Sequence, residues 1–224
     1  MDGLIWILVL PGVVLGGLAQ SWLRKSVMRY SRMPLRQRLS GAEVARHILD
    51  SRGLFHVAIE PAKGVLSDHY DPKGQVLRLS ETVYGVRSIA AAGIAAHEAG
   101  HAIQDAEDYL PLEARSAIVP LVKAGSTAAP LVFFAGLAIN SSAIMWIGAL
   151  MFGASTVFSL VTLPVEFDAS RRALVHLESL GILSGDGEMD GAREVLRAAA
   201  WTYVAGSVAA LGSWAVYLLL SRRR

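Results

Sequence analysis

Residues 90–105, AAAGIAAHEAGHAIQD, contain the cluster of side chains in this chain that could act on a substrate. In a helix, His97 and His101 lie about one turn apart on the same face, so both imidazoles can bind one metal ion with Glu98 beside them as a base. Most other positions are Ala or Gly, which predicts a slender helix that neighbouring backbones can approach closely. The stretch therefore predicts a zinc-binding helix against which other elements pack.

Zinc is the metal that this pattern favours, because imidazole suits it and a catalytic zinc site uses three protein ligands and a water. The chain has no cysteine, so imidazole and carboxylate groups must supply the ligands. A third ligand must therefore lie outside the HExxH motif. The alternative is a chance match on an ordinary helix, which the His and Glu content of this chain makes rare.

The composition points to a membrane protein. Of the 224 residues, 53% are hydrophobic, and the formal net charge at pH 7 is only +2. The basic residues cluster beside apolar segments and do not interleave with aromatic residues. This pattern argues against nucleic acid as a partner and favours the lipid bilayer.

Four apolar runs are long enough to cross a bilayer as helices. Three of them carry no charged residue, and the second contains only Lys123, near one end. Residues 140–142 alone separate the second run from the third, which predicts a tight antiparallel hairpin of helices. Asp2 and the lack of a basic residue before the first run disfavour a cleaved signal peptide. The predicted transmembrane helices are residues 4–22, 118–139, 143–165 and 198–220.

Residues 23–117 are predicted to form a small α+β region that contains the HExxH helix. Ser40 begins a capping-box pattern at the start of a short amphipathic helix. Apolar residues then alternate within residues 55–79, interrupted by the turn sequence DPKG, which predicts two or three short strands. Residues 75–79, with Val76 and Leu77 among them, are a candidate edge for pairing with an extended substrate, although an ordinary covering hairpin explains the pattern equally well.

Glu166 is the candidate for the third metal ligand. It opens residues 166–197, a predicted helix and loop directly after the third span, on the same side of the membrane as the HExxH helix. Alternatively, Glu166 marks the membrane interface and caps a helix. Asp105 lies too far along its helix to reach the same ion, so we expect it to accept a hydrogen bond from His101 or to lie in solvent. His69, which precedes the turn of the strand region, is a further candidate for contact with the site.

The distribution of positive charge predicts an orientation in the membrane. Arg171 and Arg172 follow the third span, and a larger basic cluster follows the first, so the positive-inside rule places this side in the cytoplasm. Three arginines at residues 222–224 conflict with this orientation, because four spans put both termini on the opposite side. We follow the larger cluster, which comprises Arg24, Lys25, Arg29, Arg32, Arg36 and Arg38.

Three motifs resemble a known family, the YugP-like membrane zinc metallopeptidases. They are DHYDP at residues 68–72, HEAGHAIQ at residues 97–104 and PVEFDASRRAL at residues 164–174, and the resemblance covers nearly the whole chain. The arrangement is also similar to that of the membrane protease HtpX and the prenyl-protein endoproteases, in which HExxH pairs with a later Glu-x-x-x-Asp. Ser170 stands here where those relatives carry the Asp.

The resemblance implies a gluzincin-type site, with His97, His101 and Glu166 as ligands of one Zn²⁺ ion per chain and Glu98 as the base. Ser170 would then orient a ligating imidazole, less firmly than a carboxylate does. The resemblance also implies a metalloendopeptidase that acts on protein or peptide substrates in the bacterial cytoplasmic membrane. The expected fold is a mainly α membrane protein with about four transmembrane helices and a small α+β zinc-peptidase region, formed by the HExxH helix and a short β-hairpin, on one side.

Two other classes of protein remain as alternatives. A non-catalytic membrane scaffold could keep zinc for structure, but it would not need Glu98 as a base. A small transporter or channel would carry ionisable residues inside its spans, where only Lys123 is found. The sequence leaves open the substrate, any membrane-protein partner and the oligomeric state, a homo-oligomer included.

Overall fold

The structure, a computed structural model, describes residues 2–185 and 187–222; Arg223 and Arg224 of the basic tail lie outside the described residues. The chain is mainly helical and has one small sheet. The helices are α1 (Asp2–Ser31), α2 (Gly41–Ser51), α3 (Glu81–Tyr84), α4 (Ile89–Ala106), α5 (Leu110–Ala138), α6 (Ser142–Ser179) and α7 (Glu188–Ser221). The strands are β1 (Ala58–Ala62), β2 (His69–Asp71) and β3 (Val76–Ser80).

Among the described residues, three helices are long and apolar enough to cross a membrane, namely α1, α6 and α7. The two halves of α5, Leu110–Lys123 and Gly125–Ala138, meet at a bend of 46° and together count as a fourth candidate span. Pro120 and Pro130 lie on either side of this bend, and each removes a helical hydrogen bond, so a straight helix is not expected here. The predicted fold class, a mainly α membrane protein with a small α+β region, is confirmed.

The chain divides into two compact units. The first comprises Met1–Ala19, Leu110–Pro164 and Trp201–Arg224 and is built from the apolar parts of α1, α5, α6 and α7. Glycines allow close helix packing in this unit, as the predicted hairpin requires. A Cβ atom on Gly136 would lie 2.6 Å from the backbone nitrogen of Met145, and one on Gly148 would lie 2.6 Å from that of Phe133.

The second unit comprises Gln20–Tyr109 and Val165–Ala200 and contains the sheet and the HExxH helix. The strand order is β1-β3-β2, with β1 parallel to β3 and β2 antiparallel to β3. The predicted turn joins β2 to β3 as a hairpin, and β1 adds a third strand on the other side of β3. Buried aliphatic side chains of α2, β3 and α4 form the core of this unit.

Two helices of the second unit begin where the sequence predicts. The hydroxyl of Ser40 accepts a hydrogen bond from the backbone N–H of Glu43, whose carboxylate accepts one from the backbone N–H of Ser40, which completes the capping box of α2. The hydroxyl of Ser88 accepts a hydrogen bond from the backbone N–H of Ala91 at the start of α4. Local side-chain chemistry therefore fixes the start of the HExxH helix.

Helix α6 continues without interruption from its apolar run through Pro164 into Glu166. The sequence suggested that a span ends at residue 165 and a separate helix begins at Glu166. The continuous helix instead places Glu166 and Ser170 one turn apart on the same face. Both side chains are therefore carried by one rigid element.

Candidate metal centre

Three predicted ligands converge within the second unit. His97 and His101 lie one turn apart on α4, and Glu166 comes from α6. Nε2 of His97 is 3.1 Å from Oε2 of Glu166, and Nε2 of His101 is 3.7 Å from the same oxygen. In the part of the chain that the structure describes, this is the one group of His, Asp and Glu side chains close enough to hold a metal ion, with its ligand atoms within 4.8 Å of one another.

The spacing and chemistry of this group fit zinc. A tetrahedral zinc ion with bonds of about 2.0–2.1 Å separates its ligand atoms by roughly 3.3 Å, between the two observed distances. Two imidazoles and a carboxylate are a donor set found in catalytic zinc sites, which keep a fourth position for water. His97, His101 and Glu166 therefore have the chemistry and the mutual proximity to hold the ion.

Close packing of α4 on α6 brings the three side chains together. Gly100 lies between the two histidines, and a Cβ atom there would be 2.7 Å from the carbonyl oxygen of Ala169 on α6. Only a glycine lets the two backbones come so near. The predicted role of the Ala- and Gly-rich stretch, a slender helix that others approach closely, is confirmed at Gly100.

The group is buried and favours a positive charge. Glu166 is only 2% exposed, and His101 is 8% exposed. Burial lowers the pKa of the His101 imidazole, but the hydrogen bond with Glu166, the charges of Glu98 and Glu166 and the amide of Gln104 outweigh it, so the pKa lies above its ordinary value. A cation between these groups would satisfy the buried carboxylate, which is what a metal site requires.

Glu98, the predicted base, follows His97 directly on α4 and is 8% exposed. Within residues 2–185 and 187–222, its carboxylate has no protein hydrogen-bond partner, in contrast to Glu166. Neither carboxylate oxygen is among the fully buried atoms that lack a partner, so both remain accessible to water. Glu98 is therefore free to interact with a small molecule beside the metal-ligand group.

Each histidine has a second contact through its other ring nitrogen. Nδ1 of His97 is 3.1 Å from the hydroxyl of Ser170, the residue that the sequence suggested beside a ligating imidazole. Nδ1 of His101 is 3.0 Å from Oε1 of Gln104. Sequence reasoning did not select Gln104 or its partner Asp168. Its position seven residues after His97 and three after His101, on the helical face of both imidazoles, was the signal that could have identified Gln104.

Of the two alternatives offered for Asp105, the hydrogen bond from His101 is not formed, because Gln104 occupies that position. The carboxylate of Asp105 accepts a hydrogen bond from the hydroxyl of Tyr70 on β2, at 2.9 Å. Gln104 and Asp105 project to opposite sides of His101 around the helix, the first toward α6 and the second toward the sheet. Burial and the hydrogen bond to Asp105 raise the pKa of Tyr70, so this phenol stays neutral and donates.

The remaining candidates lie on the sheet, and the structure does not bring them to the metal-ligand group. His69 is exposed, and its Nδ1 atom is 2.8 Å from the carbonyl oxygen of Ser67. Val76 and Leu77 are buried on β3, which is paired on both sides at these positions. The prediction of a free substrate-binding edge at Val76 and Leu77 is therefore wrong, because β1 occupies the side that a two-stranded hairpin would have left open.

Comparison with known proteins identifies the family to which this chain is similar. Residues 5–222 match the family described as "Putative neutral zinc metallopeptidase". The chain is also 44% identical over 193 residues to the "Putative membrane protease YugP" of Bacillus subtilis (strain 168). The aligned residues make up 86% of this chain and 85% of that relative. No solved structure matches the chain. With these matches, the chain belongs to the putative neutral zinc metallopeptidase family.

Proposed function

We propose that this protein is a membrane-embedded zinc metalloendopeptidase that hydrolyses peptide bonds of membrane or membrane-proximal proteins. One observation carries the proposal: His97, His101 and Glu166 converge beside Glu98, a buried carboxylate that forms no protein hydrogen bond among the described residues. The family match and the printed description of the Bacillus relative as a membrane protease support it. We further propose one zinc ion per chain, since one ligand group is found in the described ranges.

The side chains have distinct roles in the proposed reaction. A bound zinc ion would polarise the substrate carbonyl and lower the pKa of water to about 7. Glu98 accepts the proton of the attacking water on a carboxylate oxygen and then donates it to the nitrogen of the leaving amine. Glu166, His97 and His101 stay in place, because each is held on α4 or α6 and contacts another member of the group.

A non-catalytic zinc-binding scaffold is the alternative function. Such a protein would use four protein ligands and would close the site to water. Here, in the part of the chain that the structure describes, the group contains three candidate ligands, and the adjoining Glu98 has no protein hydrogen-bond partner. Both features favour catalysis over a structural role.

The substitution Glu98→Gln tests the proposal. The amide cannot accept a proton and Glu98 is not a proposed ligand, so zinc content should be unchanged while peptide cleavage falls about 100- to 10,000-fold. The measurements are the zinc content of purified protein and a mass-spectrometric comparison of membrane proteins in cells with wild-type or variant enzyme. Glu81→Gln, at an exposed position of α3, is the matched control and should retain cleavage. Wild-type cleavage by Glu98→Gln would exclude Glu98 as the base.

We also propose that the site faces the cytoplasm in a bacterial cytoplasmic membrane. The basic cluster between Arg24 and Arg38 supports this orientation, and the described part of the tail, Arg222, opposes it. Ser184 is exposed in the second unit, so a cysteine introduced there reports the side on which this unit lies. An impermeant thiol reagent added to intact cells should leave the Ser184→Cys variant unlabelled, and labelling from outside would reverse the assignment.

A further inference from the structure

We propose that Gln104 and Asp168 form a positioning pair that holds the His101 imidazole in one tautomer, with Nε2 unprotonated and available to a metal. This inference rests on the proposed function, because it concerns how the same site is prepared for zinc. Neither residue is a proposed ligand. Both act through His101.

Gln104 is fully buried and all of its polar hydrogens are used. Its Oε1 atom is 3.0 Å from Nδ1 of His101. Its Nε2 atom donates one hydrogen bond to the carbonyl oxygen of Val165 and another to Oδ2 of Asp168, each at 2.9 Å. The amide therefore joins α4 to the segment of α6 that carries Glu166.

The partners of Gln104 determine which way its amide points. A carbonyl oxygen and an ionised carboxylate can only accept hydrogen bonds, so both must face the NH₂ end of the amide. The amide oxygen must then face His101. The reverse orientation would place the amide oxygen against two acceptors, so these partners alone determine the assignment.

The amide orientation in turn determines the tautomer of His101. Oε1 of Gln104 can only accept, so Nδ1 of His101 must carry the hydrogen and donate it. In the neutral ring, Nε2 then presents a lone pair, and it lies 3.7 Å from Oε2 of Glu166. A lone pair facing a buried carboxylate oxygen is unfavourable unless a cation lies between them. The positioning pair of Gln104 and Asp168 therefore prepares His101 as a metal ligand.

Asp168 is itself fixed by charge. It is buried, and it pairs with both Arg171 and Arg172. Arg172 also pairs with Glu107 at the end of α4, at 2.5 Å. These cations keep Asp168 ionised and in place, which a buried carboxylate requires. Its role as an acceptor for Gln104 is thereby maintained.

Among the described residues, no equivalent restraint contacts His97. The hydroxyl of Ser170, 3.1 Å from Nδ1 of His97, can donate or accept, so this contact alone permits either tautomer. The two histidines of the same site therefore make an internal comparison. A change at Gln104 should alter the ring of His101 and leave that of His97 as it was.

The test uses the full chain in detergent micelles, first without metal. Heteronuclear NMR of isotope-labelled histidine, followed through a pH titration until both rings show the signals of the neutral form, should show neutral His101 in the Nδ1–H tautomer in the wild type. Gln104→Met, which keeps the length of the side chain and removes its hydrogen bonds, should give His101 a mixture of tautomers with His97 unchanged. An unchanged His101 tautomer in Gln104→Met would overturn the proposal.

Zinc affinity, measured by competition with a chelator, is the second readout. Gln104→Met should bind zinc about 10- to 100-fold more weakly, the usual effect of removing a partner of a ligating histidine. Gln104→Glu alone should weaken zinc binding as well, because its carboxylate would face Asp168. Adding Asp168→Asn supplies a donor to that carboxylate and should restore much of the affinity. A double variant no better than Gln104→Glu would contradict the pairing.

These outcomes separate this inference from the proposed function. If the wild type binds zinc but cleaves no peptide, the proposed function fails while the tautomer and affinity measurements still test the pair. A variant that fails to fold would be recognised by its melting temperature. In that event the double variant Gln104→Glu with Asp168→Asn, which keeps the size and net charge of the pair, provides the test. Its neutral His101 should be in the Nδ1–H tautomer, and a mixture of tautomers would overturn the proposal.

Discussion

The substitution Gly100→Ala should weaken zinc binding through the distance between α4 and α6. The new Cβ atom would lie 2.7 Å from the carbonyl oxygen of Ala169 and 3.2 Å from its Cα atom, whereas ordinary contact begins at 3.4 Å. Both of these atoms are backbone, so no side chain can rotate away. The helices must therefore separate by about 0.7 Å, the difference between the observed and ordinary distances to the carbonyl oxygen.

This separation acts directly on the ligand group. His97 and His101 move with α4 and Glu166 moves with α6, while metal–ligand distances tolerate only about 0.2 Å. Overpacking costs about 1–3 kcal/mol, and the better helix propensity of Ala returns about 1 kcal/mol. We therefore expect a loss of about 0–2 kcal/mol in the free energy of unfolding. Zinc affinity should fall about tenfold or more, since a factor of ten corresponds to about 1.4 kcal/mol.

The matched control is Gly93→Ala on the same helix. Its Cβ atom would lie 3.6 Å from the Cβ atom of Ala192, an ordinary contact. This variant should gain up to about 1 kcal/mol of stability and should bind zinc as the wild type does. Melting temperature and chelator competition, measured on both variants, separate stability from metal binding. Wild-type zinc affinity in Gly100→Ala would refute the argument that helix spacing sets the site.

Three further predictions concern the metal and two local contacts. Removal of zinc by a strong chelator should abolish peptide cleavage and lower the melting temperature, and both should return when zinc is added back. Tyr70→Phe should lower the free energy of unfolding by about 1 kcal/mol through loss of the hydrogen bond to Asp105, with zinc content unchanged; loss of zinc would show that this contact supports the site. Ser40→Ala should cost about 1 kcal/mol at neutral pH. Hydrogen bonds from the backbone and hydroxyl of Ser40 lower the pKa of Glu43, so the part of the cap's stability that comes from this carboxylate is present above the ordinary Glu pKa of about 4.3 and is lost as the pH falls below it; a pH-independent effect in melting experiments would contradict this.

Much of the candidate site could be predicted because its main signals are local. The spacing of His97 and His101 places both imidazoles on one helical face, whatever the surrounding fold. Ser40 and Ser88 mark helix starts through contacts within three residues. Glu166 could be proposed because it directly follows an apolar run, although its distance from the histidines depends on how α6 packs on α4.

The parts that could not be predicted depend on contacts between distant segments. The partner of Gln104 on α6, Asp168, is not visible from α4 alone, so the sequence suggested Asp105 beside His101 instead. The parallel pairing of β1 with β3 likewise has no local signal in the sequence. The β2–β3 hairpin, in contrast, is predicted by the turn residues between its strands. That missing strand is why Val76 and Leu77 were expected at a free edge.

The zinc content of four purified proteins tests the central claim most directly. The wild type should contain one zinc ion per chain, and Glu166→Ala should lose zinc as severely as His101→Ala, because each removes one of three ligands. Asp105→Ala should keep its zinc, since Asp105 bonds Tyr70 and is not beside His101. Stoichiometric zinc in Glu166→Ala, or its loss in Asp105→Ala, would contradict the proposed ligand set.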